Sequence, residues 1–281
     1  MIKNQIKTVM LLGLLTGLLL GVGQLLGGRG GLFIGLVFAI FMNFGAYWWS
    51  DKIVLRIYRA REIKEKDEPE LYRVVKEVAH LAKLPMPKVY IIPTENPNAF
   101  ATGRNPKNAA VACTVGIMNL LSKDELKGVI SHEMAHIKNR DTLIQAVAAT
   151  IAGVITYLAF MARWAAIFGG MGGRDRDRGN MFELLALAII TPLVATILQL
   201  AISRSREYLA DETGAKTIHA PLALANALEK LESGVRHNPL RFGSPSTSSL
   251  FIVNPFTAKG LINLFSTHPP MKERIKRLRQ M

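Results

Sequence analysis

Four long apolar runs divide the chain, and two charged, mixed-pattern stretches lie after the second and the fourth. The runs are about Val9–Leu26 (VMLLGLLTGLLLGVGQLL), Leu32–Trp49, Leu143–Phe168 and Phe182–Ile202. Each is close to or above the ~18–20 apolar residues that cross roughly 30 Å of hydrocarbon. Soluble cores seldom supply four such runs, so the pattern predicts four transmembrane helices. Tyr47-Trp48-Trp49 ends the second run with aromatic residues suited to a membrane–water interface. Thr191-Pro192 predicts a kink in the fourth. The GGRGG segment predicts a tight turn between the first two runs, making them a helical hairpin. No A-x-A-like cleavage site follows the first run, so it reads as an uncleaved anchor rather than a signal peptide.

The intervening stretches have shorter periods. Residues 50–141 contain a charged amphipathic helix over about Pro69–Lys83, followed by KVYII and AAVACTV as strands and NAFATG as a third. Ser122 with Glu125 forms an S-x-x-E capping box that predicts the start of another helix. Residues 203–281 open with a helix through SRSREYLADETGAKTI and add one at about Pro221–Glu232. The stretch RHNPLRFGSPSTSSLFIVNPF predicts a loop, and segment 233–258 is a candidate cover over a cleft. The chain thus divides into a transmembrane hairpin at 1–49, a soluble part at 50–141, a second hairpin at 142–202, and a second soluble part at 203–281.

Composition turns this pattern into a topology. The chain is 49% hydrophobic, yet 35 Lys+Arg against 21 Asp+Glu give a formal net charge of +14. A chain both apolar and basic does not resemble a nucleic-acid binder. It fits a membrane protein with cations on the cytoplasmic flanks of its spans. Lys3 and Lys7, the group Lys52, Arg56, Arg59, Arg61, Lys64 and Lys66, and the terminal MKERIKRLRQM fall on one side after even numbers of crossings. The other side receives Arg29 and GGMGGRDRDRGN, where Asp175 and Asp177 offset part of the charge. Both termini and residues 50–141 are therefore expected in the cytoplasm. Cys113 is the sole cysteine, which excludes an intrachain disulfide and a cysteine metal site.

The helix begun by the capping box carries His132-Glu133-Met134-Ala135-His136. Histidines four apart project from one helix face and suit two adjacent vertices of a tetrahedral Zn²⁺. Glu133, turned ~100° from His132, lies beside the metal rather than on it. There it can take a proton from the attacking water and hand it to the leaving amine. A third protein ligand is needed. Glu207 follows the fourth run as closely as His136 precedes the third, so a hairpin returns it to the level of the histidines. Asp211, one turn on, can accept a hydrogen bond from a ligand imidazole. Arg204 and Arg206 can pair with these carboxylates or snorkel to headgroups. Arg274 can pair with a carboxylate of the site, but a solvated basic helix is the default expectation. His80, His219 and His237 are assigned no role.

HEMAH followed much later by EYLAD looks like the gluzincin class of zinc peptidases. With NAFATG, THPP and four apolar runs, the chain resembles the HtpX-type membrane metalloproteases, relatives of the CAAX prenyl proteases, over nearly its whole length. The resemblance implies a membrane α-helical protein with a cytoplasmic α+β zincin-like catalytic domain and four transmembrane helices. It implies one zinc per chain, on His132, His136 and Glu207, with Glu133 as base. It places Asn98 and His268 near the scissile bond. It further implies a multi-pass protein of the cell inner membrane, active in stress response and quality control, whose partners are the lipid bilayer, membrane proteins and unfolded polypeptides. Nucleic acid is not expected, and self-association is left open. Asn98 can donate to an oxyanion, and NAFATG can present an edge to an extended peptide. The rival readings are a CAAX-type processing protease with defined substrates and a non-catalytic membrane zinc sensor or adaptor. A closed structural zinc site wants four ligands and no base, which favours catalysis.

Overall fold

The computed structural model describes residues 2–169, 204–240, 242–243, 245–255 and 269–281. The first element, α1 (Ile2–Ile57), is two helices joined at Gly27 and Gly28, where Gly28 has φ 56° and ψ −136°. Glycine takes positive φ without a Cβ clash, so the expected GGRGG turn sits at this break. The limbs Gln5–Gln24 and Gly27–Ile57 are each long and apolar enough to cross a membrane. Phe33, Ile34, Phe38 and Phe41 point outward from the second limb. Such a band is costly in water and suits hydrocarbon. The second limb also runs past the expected end at Trp49. Its last turns enter the soluble domain, where Val54 and Leu55, with Tyr58 just beyond the helix, are buried.

A third apolar helix, α5 (Thr142–Gly169), matches the third predicted run. Its first half packs Ile144, Val147 and Ile151 against Leu11, Leu15 and Leu19 of α1. The predicted fourth run, the Thr191-Pro192 kink and the GGMGGRDRDRGN loop lie outside the described residues.

The soluble domain is built on a four-stranded sheet of β1 (Arg61–Ile63), β2 (Lys88–Ile92), β3 (Ala99–Gly103) and β4 (Ala109–Thr114), in the order β1-β2-β4-β3. β2 and β4 are parallel; β1/β2 and β3/β4 are antiparallel. NAFATG is therefore an edge strand, as its small residues suggested. Two short elements were not anticipated: β1, and α3 (Val115–Leu120), which Thr114 caps through Ile117 N. The remaining helices are α2 (Pro69–Ala82), α4 (Lys123–Asn139), α6 (Arg204–Ile218), α7 (Pro221–His237) and α8 (Met271–Arg279). The capping box at Ser122 and Glu125 is formed in both directions.

The candidate cover needs correction. Its first residues extend α7 to His237, and Pro245–Leu250 is a 3₁₀ turn. Phe251, Ile252 and Val253 are buried rather than laid loosely over a cleft. Phe251 stacks edge-on against Tyr58 and Phe100, with ring centroids 4.8 and 5.1 Å away. An aromatic cluster of this kind holds the segment as part of the core.

Candidate metal centre

α4 is buried along most of its length because α2, α6 and α7 all pack on it. His132, Glu133 and His136 consequently lie inside the protein rather than on a helix surface. α6 crosses close to this stretch. A Cβ on Gly214 would stand 2.8 Å from the His132 nitrogen and 2.9 Å from the Ser131 carbonyl carbon. Only glycine permits that approach, and Glu207, two turns earlier on α6, is delivered to the two histidines by it.

One ligand atom from each of His132, His136 and Glu207 lies within 4.8 Å of the others. The facing Nε2 atoms of His132 and His136 are 3.2 Å apart. Glu207 Oε1 is 3.5 Å from His136 Nε2, and Oε2 is 3.7 Å from His132 Nε2. Ligands ~2.0–2.1 Å from a tetrahedral ion stand roughly 3.3–3.4 Å apart, so the three residues fit a metal such as zinc. The other imidazole nitrogens are taken up elsewhere. His132 Nδ1 is 2.8 Å from Asp211 Oδ1, and His136 Nδ1 is 3.3 Å from Asp141 Oδ2. With Nδ1–H given to a carboxylate, each Nε2 would offer its lone pair to a metal ion.

The charges are consistent with a cation between the histidines. Burial lowers the pKa of His132 despite Asp211. Burial works the same way on His136, but Glu207 and then Asp141 push it up to about 9. The Glu207 carboxylate beside His136 accounts for the opposite directions. Glu133 is pushed up to about 8, chiefly by burial, with Glu207 adding to it. A divalent cation next to Glu133 favours its ionised form. Its carboxylate also accepts from the Ala101 backbone N–H of β3, so the sheet edge adjoins Glu133.

One neighbour, Asp141, escaped the sequence reading, and the default placement of another, Arg274, needs correction. Asp141 follows the left-handed cap Arg140 and holds His136; Arg206 stands 3.6 Å from it. Its signal was a lone acid among the cations of KNRD at a span mouth. Arg274 corrects an expectation, because it is fully buried rather than solvated. It shares the inner face of α8 with Ile275 and Leu278, and a charge on an apolar face was the legible clue. The guanidinium holds Asp211 well below the usual carboxylate range, although burial acts in the opposite sense.

Asn98 is brought near but is engaged. Its Nδ2 donates to Val253 O at 2.7 Å, and its Oδ1 accepts from Val253 N at 3.3 Å. Ile252 N donates to Ala99 O at 3.1 Å. Residues 252–253 thus lie along the start of the β3 edge. His268 lies outside the described residues.

This geometry has close relatives. Proteins named Protease HtpX homolog from Syntrophobacter fumaroxidans and Pyrococcus furiosus are each 54% identical to this chain. The first aligns over 280 residues, 99% of both chains; the second covers 98% of this chain and 95% of the relative. The crystal structure of S. mikatae Ste24p has the same fold, with a TM-score of 0.51 at 18% identity, over 99% of this chain and 66% of the other. A family model described as Peptidase family M48 matches residues 65–281. That stretch holds both halves of the metal centre, α4 and α6, and the chain belongs to peptidase family M48.

Proposed function

We propose that this membrane metalloprotease is a zinc-dependent endopeptidase that cuts damaged or misassembled membrane proteins, and unfolded polypeptides, from the cytoplasmic side of the inner membrane. The observation that carries the reading is the placement of Glu133 between two metal-directed imidazoles and the backbone of an edge strand. Two imidazoles and one carboxylate favour zinc over harder ions, which prefer oxygen ligands. A zinc ion held by His132, His136 and Glu207 would supply Lewis acidity to the scissile carbonyl and to the attacking water.

The residues divide the remaining work. A substrate adding to the β3 edge in extended form presents its main chain beside Glu133. Glu133 takes the proton of the attacking water and passes it to the departing amine. Asn98 and His268 donate to the oxyanion, a contribution of roughly 3 kcal/mol when such a donor is preorganised. For Asn98 this requires Val253 to yield its hydrogen bonds. The cation-rich flanks support a cytoplasmic site, since Lys and Arg set orientation. In this reading the site serves stress-responsive quality control from beside the bilayer, within reach of loops emerging from neighbouring proteins.

The test is metal reconstitution in vesicles. Chelation should abolish cleavage of casein, and zinc should restore it better than manganese or magnesium. Restoration by magnesium alone would contradict the ligand argument. Orientation is read separately, by labelling Lys66→Cys in intact cells with an impermeant maleimide. Labelling before lysis would place this segment outside.

A further inference from the structure

We infer that the protein binds the phosphate headgroup of an anionic phospholipid, in a cavity formed where the start of α1, its aromatic stretch and the α4–α5 junction meet. The inference rests on the membrane placement proposed above.

The cavity holds about 340 Å³, within the roughly 300–1,000 Å³ of ordinary ligand pockets. Arg104, Asn105, Arg140 and Thr8 supply donors to its wall, while Val9, Leu12 and Tyr47 supply apolar surface. Donors and hydrocarbon on one wall match an amphiphile better than a free ion. Arg104, from the β3–β4 connection, stacks with its guanidinium carbon 4.3 Å from the Trp48 ring centroid. Stacking of this kind fixes the plane of a guanidinium without consuming its hydrogen-bond donors.

Charge and position agree with that occupant. Lys7 lies close enough to Arg206 and Asp141 to feel both charges. Arg206 stands beside them, with its Nη1 3.6 Å from Asp141 Oδ1. Trp48 belongs to the aromatic stretch expected at the headgroup level, and Leu143, at the beginning of α5, lines the same cavity. Basic pockets between helices on the cytoplasmic side suit anionic headgroups. The site also touches the chemistry, because Asp141 follows Arg140 in the chain and holds His136 Nδ1. A headgroup that orders Arg140 steadies the support of a metal ligand.

The test uses the full-length, metal-loaded protein with Trp49→Phe and Trp164→Phe, which leaves Trp48 as the only tryptophan of the three. It is reconstituted in phosphatidylcholine vesicles containing a small fraction of brominated phosphatidylglycerol or, separately, brominated phosphatidylcholine. Trp48 quenching is read in each. Quenching by the phosphatidylglycerol is expected at lower mole fraction, with the preference falling about fivefold for each arginine removed in Arg104→Gln and Arg140→Gln. Arg104→Lys should keep part of it, and millimolar inorganic phosphate should not displace it. Equal quenching by the two lipids in the unsubstituted cavity would overturn the inference, independently of whether any variant folds. So would displacement by inorganic phosphate, which would make free phosphate the ligand. Casein cleavage in the vesicles that contain phosphatidylglycerol is recorded alongside. Its absence there with the lipid preference intact would sink the peptidase reading and leave this one standing.

Discussion

Arg274 and Asp211 meet in a two-bonded fork inside the protein: Nε donates to Oδ2 at 2.8 Å and Nη2 to Oδ1 at 2.7 Å. The same Oδ1 is 2.8 Å from His132 Nδ1, and Arg274 Nη1 donates to Ile252 O at 3.1 Å. One side chain on α8 therefore joins the support of a metal ligand to the segment lying on the β3 edge. Removing a partner from such a buried pair leaves an uncompensated charge. Arg274→Met should destabilise the protein by about 3–5 kcal/mol, and Arg274→Lys by less, since lysine keeps the charge but not the fork. Denaturation in detergent with saturating metal checks this. Unchanged stability in both variants would remove Arg274 from the account.

Asp211 and Asp141 each hold one histidine by Nδ1, at 2.8 and 3.3 Å. Asparagine at either position should weaken metal binding by roughly 10–100-fold, measured by competition with a chromophoric chelator. The longer contact predicts the smaller loss for Asp141→Asn. Equal affinity in all three proteins would mean that the carboxylates do not orient the rings.

Gly214→Ala tests the helix crossing. Its Cβ would have to sit 2.8 Å from the His132 nitrogen, so α6 must retreat from α4. Overpacking should cost about 1–3 kcal/mol, and Glu207 should withdraw from the histidines with a measurable fall in metal affinity. Full affinity with normal stability would show that the crossing tolerates the methyl group.

The segment on the sheet edge gives a fourth prediction. Asn98→Ala removes two hydrogen bonds to Val253 and leaves Ile252–Ala99 as the backbone tie to β3. Amide exchange at 250–253 should rise in the variant. Casein cleavage separates two roles for Asn98: a faster rate means the tie limits access to β3, and a slower one means the side chain stabilises the oxyanion. Point substitution is preferred to deletion of the segment, because Phe251–Val253 are buried.

Much of this was legible because local rules and tertiary structure agreed. His132 and His136 are four positions apart on a capped helix, and that alone fixes a shared face. The hairpin argument brought Glu207 to them, and Asp211 followed by helical spacing. Asp141 was missed because it follows the end of α4 in a left-handed turn, where helical spacing says nothing about direction. The pairing of Arg274 with a carboxylate was open to the sequence, but a basic helix of low overall hydrophobicity reads as solvated by default. The burial of Arg274 depends on a carboxylate far away in the sequence, which no local pattern encodes. The same holds for residues 251–253: the Ser/Pro/Asn-rich surroundings indicated a loop, while packing on Tyr58 and Phe100 is a long-range fact. β1 is three residues long and has no alternation to detect.

The most direct measurement compares the wild type with Glu133→Gln in cleavage of casein, with zinc content determined for both. The substitution keeps the shape of the side chain and removes its ability to accept a proton. The account predicts that both bind one zinc per chain and that only the wild type cuts. Equal cleavage by the two would contradict the role of Glu133 as base. Failure of both to cut, with zinc bound, would make the centre structural or regulatory and contradict the proposed function.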